Sequence, residues 1–245
     1  MGGLDRTFDW AAVDLVIFDV DGTLYDQRRL RQRMLIELGA HCCRTLSFRT
    51  ALTLRAFRRC REDLSRAQQM EDITDIQYRL TAAECSLPPD DVRTLVKEWI
   101  EERPLRFLRC YRFNGVAELF DACAGRGKTI AVWSDYPASA KLVALDLVAD
   151  IIASSGDDGV RRLKPDPAGL YYVLACAGVP PQRAVLIGDR AEHDGEAARR
   201  AGVQVLLRRA VPHKDFPTFR TYHDSVFEPL LSSSAVARED SRGSQ

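Results

Sequence analysis

Lysine is scarce in this chain. Five lysines stand against thirty arginines, so a lysine that falls inside a motif stands out. No apolar run approaches the roughly 20 residues that a membrane-crossing helix needs, which argues against a membrane protein. The opening Met1-Gly2-Gly3-Leu4-Asp5-Arg6 lacks the apolar core of a signal peptide, and Arg6 stands where a myristoylation signal wants Ser or Thr. None of the seven cysteines forms a C-x-x-C pair; Cys42 and Cys43 are adjacent and the rest lie among apolar neighbours. The expectation is reduced, mostly buried thiols in a cytoplasmic protein. Net charge is zero and the arginine-rich stretch of residues 27–66 offers no interleaved aromatic platform, which disfavours nucleic acid as a partner. What remains is an ordinary globular composition. At 245 residues the chain can form one large α/β domain, or a core with a smaller accessory domain.

Residues 13–26 read VDLVIFDVDGTLYD. The apolar, β-branched run is too short for a helix and predicts a strand buried on both faces. It stops at Asp19, with Asp21, Gly22 and Thr23 directly after. Asp-x-Asp-Gly is also a turn signal, but two carboxylates at the end of a buried strand repel unless a cation or proton intervenes. At about 4 Å and an effective dielectric near 20 the repulsion is on the order of 4 kcal/mol. In open α/β sheets, ligands bind at such carboxyl ends.

The same pattern recurs downstream. Residues 129–133 (TIAVW) predict a second buried strand ending at Ser134-Asp135, and residues 184–187 (AVLI) another ending at Gly188-Asp189. Short strands are also expected over 150–153 and 203–207. Helices are expected over 113–124, over 137–147, after Lys164-Pro165-Asp166-Pro167, and from Asp194 to about Gly202. Alternating strands and helices predict a doubly wound parallel sheet. Residues 27–104 contain no convincing strand. Leu30, Met34, Leu35, Leu38 and Cys42 share one helical face; Leu52, Ala56, Cys60 and Leu64, flanked by Phe57, form another, and a further helix is expected through Trp99. The domains expected are an α/β core of residues 1–26 and 105–231, an inserted helical cap of residues 27–104, and a disordered polar tail of residues 232–245. Phe8 and Trp10 are expected at the core edge.

Residues 27–66 hold eleven arginines against Glu37, Glu62 and Asp63, a net of +8. Arg55, Arg58, Arg59 and Arg66 fall on one helical face. A solvated polar face explains them; so does attraction of an anionic substrate or partner.

Asp19-Val20-Asp21-Gly22-Thr23, Ser134, Lys164 and Asp189 with Asp194, in that order, resemble the haloacid dehalogenase superfamily, in its phosphatase branch with a helical cap after the first strand. The resemblance spans residues 13–207, with the cap similar only in position and length. It implies a Rossmann-like core and a phosphoric monoester hydrolase acting on a small phosphorylated metabolite. Asp19 would be the nucleophile that forms an aspartyl-phosphate. Asp21 would be the general acid and then the base, and an aspartate there favours phosphate over carbon–halogen chemistry. Lys164 would offset the charge of Asp19 and the phosphoryl group. Thr23 and Ser134 would bind substrate with Lys164. Asp135, where the family often has Asn, would touch substrate or cap the next helix. Asp19, Asp21 through its main-chain carbonyl, Asp189 and Asp194 would hold Mg²⁺. Glu192 and His193 share that loop; Mg²⁺ disfavours imidazole. Arg190 would lie near the phosphate. Two other readings fit the same residues: a phosphomutase, which shares all four motifs, and a binding module whose arginine-rich insertion holds an anionic partner.

Overall fold

A computed structural model describes residues 8–67 and 73–232. Residues 1–7 and the tail expected from residue 233 onward lie outside these described residues. After a 3₁₀ turn at Trp10–Ala12 the chain enters β1 (Leu15–Phe18) and then a helical stretch: α1 (Gln27–Thr45), α2 (Arg49–Ala67), α3 (Ile73–Cys85), α4 (Pro89–Val96), a π-helical turn Lys97–Glu102, and α5 (Leu105–Tyr111). The alternating part follows as α6 (Val116–Ala124), β2 (Thr129–Ser134), α7 (Ser139–Leu145), β3 (Ile151–Ser154), α8 (Ala168–Ala177), β4 (Ala184–Gly188), a π-helical turn Ala191–Gly195 running into α9 (Glu196–Ala201), and β5 (Gln204–Arg208). A two-residue β6 (Thr218–Phe219) and a short α10 (Glu228–Leu231) complete it.

The six strands form one parallel sheet in the order β3-β2-β1-β4-β5-β6. β1 lies in the middle because its side chains are buried on both faces. Val16 and Phe18 join the core under α6 and α10, whereas Leu15 and Ile17 join the core under α8 and α9, the period-two alternation of a strand. Burying four such side chains contributes roughly 1.5–3 kcal/mol each. The chain runs outward from β1 through β2 to β3, then returns to β1's other edge as β4. The strand order reverses between β1 and β4, where an open α/β sheet leaves a crevice at its carboxyl ends.

The helical stretch has a small core of its own, in which Phe57, Tyr78, Val92 and Val96 are buried together. Two positions are corrected: Leu35 and Leu52 are 63% and 61% exposed. The rest of the α2 stripe holds, with Ala56, Leu64 and the flanking Phe57 buried, Cys60 half-buried, and Leu54 buried beside them. α6 and α7 start later than expected, at Val116 and Ser139, because Gly115 takes a left-handed conformation (φ 87°) and Pro137 and Ala138 precede the second helix. Trp10 is buried, with the Phe8 ring tilted against it at 4.7 Å.

Candidate active site

Asp19 follows β1 directly and stays in strand register, its amide donating to the Ile187 carbonyl at 2.9 Å. Its side chain is therefore aimed off the carboxyl end of the sheet. The chain then turns sharply through Gly22 at φ 95°. A Cβ at Gly22 would lie 2.3 Å from Asp189 Oδ2, so only glycine lets the two loops approach. Thr23 is fully buried and donates from Oγ1 to Asp19 Oδ2 at 3.0 Å. Tyr222, from the far end of the chain, clamps this turn by donating to the Thr23 carbonyl at 2.8 Å.

Lys164 reaches Asp19 from the loop before α8. Its Nζ lies 2.6 Å from Asp19 Oδ1 and 2.8 Å from Asp194 Oδ1, and the ammonium is buried. The two carboxylates keep it charged and raise its proton affinity above that of an ordinary lysine, overcoming the desolvation that opposes them. Asp135 fixes the loop: Oδ1 accepts from the Lys164 amide at 3.1 Å and from Ser155 Oγ at 2.9 Å.

Asp189, just past β4, and Asp194, in the π-helical turn, complete an acidic cluster. One oxygen each of Asp19, Asp189 and Asp194 lie within 4.8 Å of one another. Gly188 permits this closeness, since a Cβ there would sit 2.5 Å from the Asp194 side chain. Asp194 Oδ2 accepts from the Asp189 and Arg190 amides at 3.1 and 3.0 Å. Burial alone would raise the Asp194 carboxyl, but Lys164 and these amides hold it below the ordinary value. Asp19 and Asp189 also feel Lys164, but the two amides are given to Asp194. Burial pushes Asp19 up to about 7, Lys164 opposing and Asp194 reinforcing; burial, then Asp19, pushes Asp189 up to about 8. Asp189 Oδ1 is buried and, among the described residues, has no hydrogen-bond partner. Three carboxylates against one ammonium, with an orphaned carboxylate oxygen among them, suit a hard divalent cation.

The Asp21 carboxylate turns away from this cluster. Lys141 of α7 lies 2.6 and 2.8 Å from its two oxygens, and the Tyr25 hydroxyl donates to Oδ1. Burial would raise it; Lys141 and the hydrogen bonds lower it overall. These groups line a cavity of about 580 Å³ roofed by α1 and α2. α2 is tied to the sheet loops in three places. Ser65 Oγ donates to the Lys164 carbonyl at 2.5 Å, Arg61 donates to the Asp135 carbonyl while lying over the Tyr136 ring at 3.9 Å, and Glu62 faces Arg190 at 3.4 Å.

Residues 13–202 match the model of the haloacid dehalogenase-like hydrolases. The chain belongs to this family. A phosphoglycolate phosphatase of Pseudomonas putida is 28% identical over 216 residues, 84% of this chain and 73% of that protein. A phosphoglycolate phosphatase of Rhodospirillum rubrum is 31% identical over 206 residues, 78% of each chain. Among solved structures, a 2-haloacid dehalogenase from Pseudomonas syringae pv. Tomato superposes with a TM-score of 0.63 at 20% identity, over 91% of this chain and 99% of that one. CbbY from Rhodobacter sphaeroides in complex with phosphate gives 0.57 at 20% identity, over 86% and 96%. Both carry the fold alone. Among the described residues no helix is long and apolar enough to cross a membrane.

Asp19, Ser134, Lys164, Asp189 and Asp194 of this hydrolase meet at one cavity, as the strand-end pattern expects. Three more of the expected site residues stand beside the carboxylate cluster rather than in it. The Asp21 side chain is paired with Lys141, which leaves its main-chain carbonyl, the atom expected to face the metal, as its candidate ligand. The Asp135 carboxylate lines the cavity and uses Oδ1 to hold the Lys164 loop, through the Lys164 amide and the Ser155 hydroxyl. Thr23 is fully buried, and its hydroxyl is spent on Asp19. Ser134 Oγ, at the cavity wall, accepts from the Tyr136 amide at 3.2 Å. His193 contacts Arg190 at 2.7 Å, and burial followed by that guanidinium lowers its proton affinity. Sequence reading missed Lys141 and Tyr25, and held Arg61 only as one of the eleven arginines of residues 27–66. Rarity alone marked Lys141; Tyr25 carried no signal.

Proposed function

We propose that this hydrolase is a Mg²⁺-dependent phosphatase of a small phosphate monoester. The observation that carries this reading is the buried Asp19–Asp189–Asp194 cluster with Lys164 bridging two of its members. Phosphoglycolate, named for the relatives, is the first ester to assay.

Asp19 is the proposed nucleophile. Lys164 and Thr23 each occupy one of its oxygens, which fixes the carboxylate plane and leaves a lone pair facing the cavity. Attack on phosphorus forms an Asp19–phosphoryl bond and expels the alkoxide, which takes its proton from Asp21. Water then attacks the aspartyl-phosphate, gives its proton to Asp21 and releases inorganic phosphate. With Lys141 at 2.6 Å, Asp21 is in the carboxylate form suited to this second half. For the first half it must gain a proton, so the substrate-bound state loosens the Lys141 contact. Lys164 and the Ser134 hydroxyl at the cavity wall stabilise charge on the phosphoryl oxygens. Asp19, Asp189, Asp194 and the Asp21 main-chain carbonyl would hold Mg²⁺, which when bound screens these carboxylates and polarises a phosphoryl oxygen. Residues 27–104 are the proposed cap, which excludes water through the α2 contacts.

The test is release of inorganic phosphate from phosphoglycolate and from an aryl phosphate, with Mg²⁺ and with chelator. Turnover should need the metal, and Asp19→Asn should reduce it by roughly a thousandfold or more. An isomerised phosphate ester appearing in place of inorganic phosphate, or full activity in Asp19→Asn, would refute the reading.

A further inference from the structure

Six basic side chains line the cavity: Arg31, Arg58, Arg61, Lys141, Lys164 and Arg190. Four are satisfied by protein groups. Lys164 has Asp19 and Asp194, Lys141 has Asp21, and Arg190 has Glu62. Arg61 has the Gln77 side chain, the Asp135 carbonyl and the Tyr136 ring. Arg31 and Arg58 are different. Among the described residues neither has a hydrogen-bond or ion-pair partner; both are solvent-exposed and line the cavity from its helical roof, Arg31 on α1 and Arg58 on α2.

The two guanidiniums also work against each other. Desolvation at the cavity wall lowers the proton affinity of Arg58; Tyr136 opposes this, Arg31 adds to it, and Asp21 opposes it. Two like charges brought together across a cavity, each with its donors unused, make an arrangement that an anion between them relieves. The wall beside them is apolar: Leu30 and Met34 of α1 face Leu105 and Leu108 of α5. The cavity thus offers a phosphoryl site at Asp19, a short apolar wall, and a second cationic site on the roof.

We propose, building on the phosphatase reading, that the substrate is a short phosphate ester carrying a second anionic group, and that Arg31 and Arg58 together bind that group. The two arginines set specificity. A neutral tail leaves their donors unsatisfied once the roof closes, whereas a carboxylate or a second phosphate accepts from the planar forks of both.

Three esters of similar length separate the possibilities: phosphoglycolate with its carboxylate, ethanediol bisphosphate with its second phosphate, and ethyl phosphate with a neutral end. The readout is kcat/KM for each anionic ester divided by that for ethyl phosphate, in the presence of Mg²⁺. The wild type should favour an anionic ester by roughly tenfold or more, and the larger ratio identifies carboxylate or phosphate as the group bound. Arg31→Gln and Arg58→Gln should each lower that ratio by roughly 10- to 100-fold, mainly through KM, with Arg58→Lys recovering part of it. A wild-type ratio near one, or ratios that the two glutamine variants leave unchanged while ethyl phosphate is still hydrolysed, overturns the proposal and leaves the phosphatase reading standing. No turnover of any ester by the wild type removes the phosphatase reading, and the proposal with it.

Discussion

Removing the ammonium of Lys164 tests the electrostatic logic of the site without reference to any substrate. In Lys164→Met the side chain keeps its length and apolar stem but loses the charge lying 2.6 Å from Asp19 and 2.8 Å from Asp194. With the three cluster carboxylates offering oxygens within 4.8 Å of one another, each unscreened pair repels by ~3.5 kcal/mol at an effective dielectric near 20. Breaking a buried ion pair from one side costs about 3–5 kcal/mol, a large part of the ~5–15 kcal/mol that holds a domain folded. Protonation limits the loss. In the variant Asp19 and Asp194 have folded-state pKa values above those of the unfolded chain, so the deficit fades as pH falls and is largest above neutrality. Urea denaturation with chelator present should place the variant's midpoint well below the wild type's at pH 8, with an unchanged slope, and the gap should narrow at pH 5. Stability within about 0.5 kcal/mol of wild type at pH 8 would refute the reasoning, because it would mean that the carboxylates do not need their counter-charge.

Two further outcomes follow from the same cluster. Burial raises Asp19 to about 7 and Asp189 to about 8, so their stabilising contribution to the metal-free protein is fully present below the unfolded carboxylate value and is lost as pH rises through those values. Because Mg²⁺ must displace the retained protons, the thermal shift it produces should be larger at pH 8.5 than at pH 6; the opposite order would count against these carboxylates as ligands. Gly22→Ala places a Cβ 2.3 Å from Asp189 Oδ2 at a backbone φ of 95°, which should destabilise the fold by about 1–3 kcal/mol and weaken Mg²⁺ binding by calorimetry. Wild-type metal affinity in Gly22→Ala would show that the two loops need not approach so closely.

The core of the fold was legible because strand burial is written locally. An apolar run that stops at a carboxylate or a glycine marks both the strand and its carboxyl end, and residues 13–26, 129–135 and 184–189 each carry that pattern. The helical roof was less legible. Its hydrophobic pattern indicated helices, yet Leu35 and Leu52 face outward, because a helix packed on two sides buries a wider and differently centred arc than its sequence stripe suggests. The arginines were harder still. A basic excess in residues 27–66 is visible as a count, but an arginine is equally at home against solvent or a cavity wall, so hydropathy cannot orient it.

The sequence by itself determined the five longer strands, though not the two-residue β6, together with their order of appearance and which carboxylates and lysine lie at strand ends or in their loops, since these depend on neighbours a few residues away. Only the tertiary structure decided which charge meets which. Lys164 finds Asp19 at a separation of 145 residues and Lys141 finds Asp21 at 120, while Arg31 and Arg58 meet no partner among the described residues. Those pairings arise where parallel strands place distant loops at the same end of one sheet, and a Coulomb interaction depends on that final separation in space rather than on position along the chain.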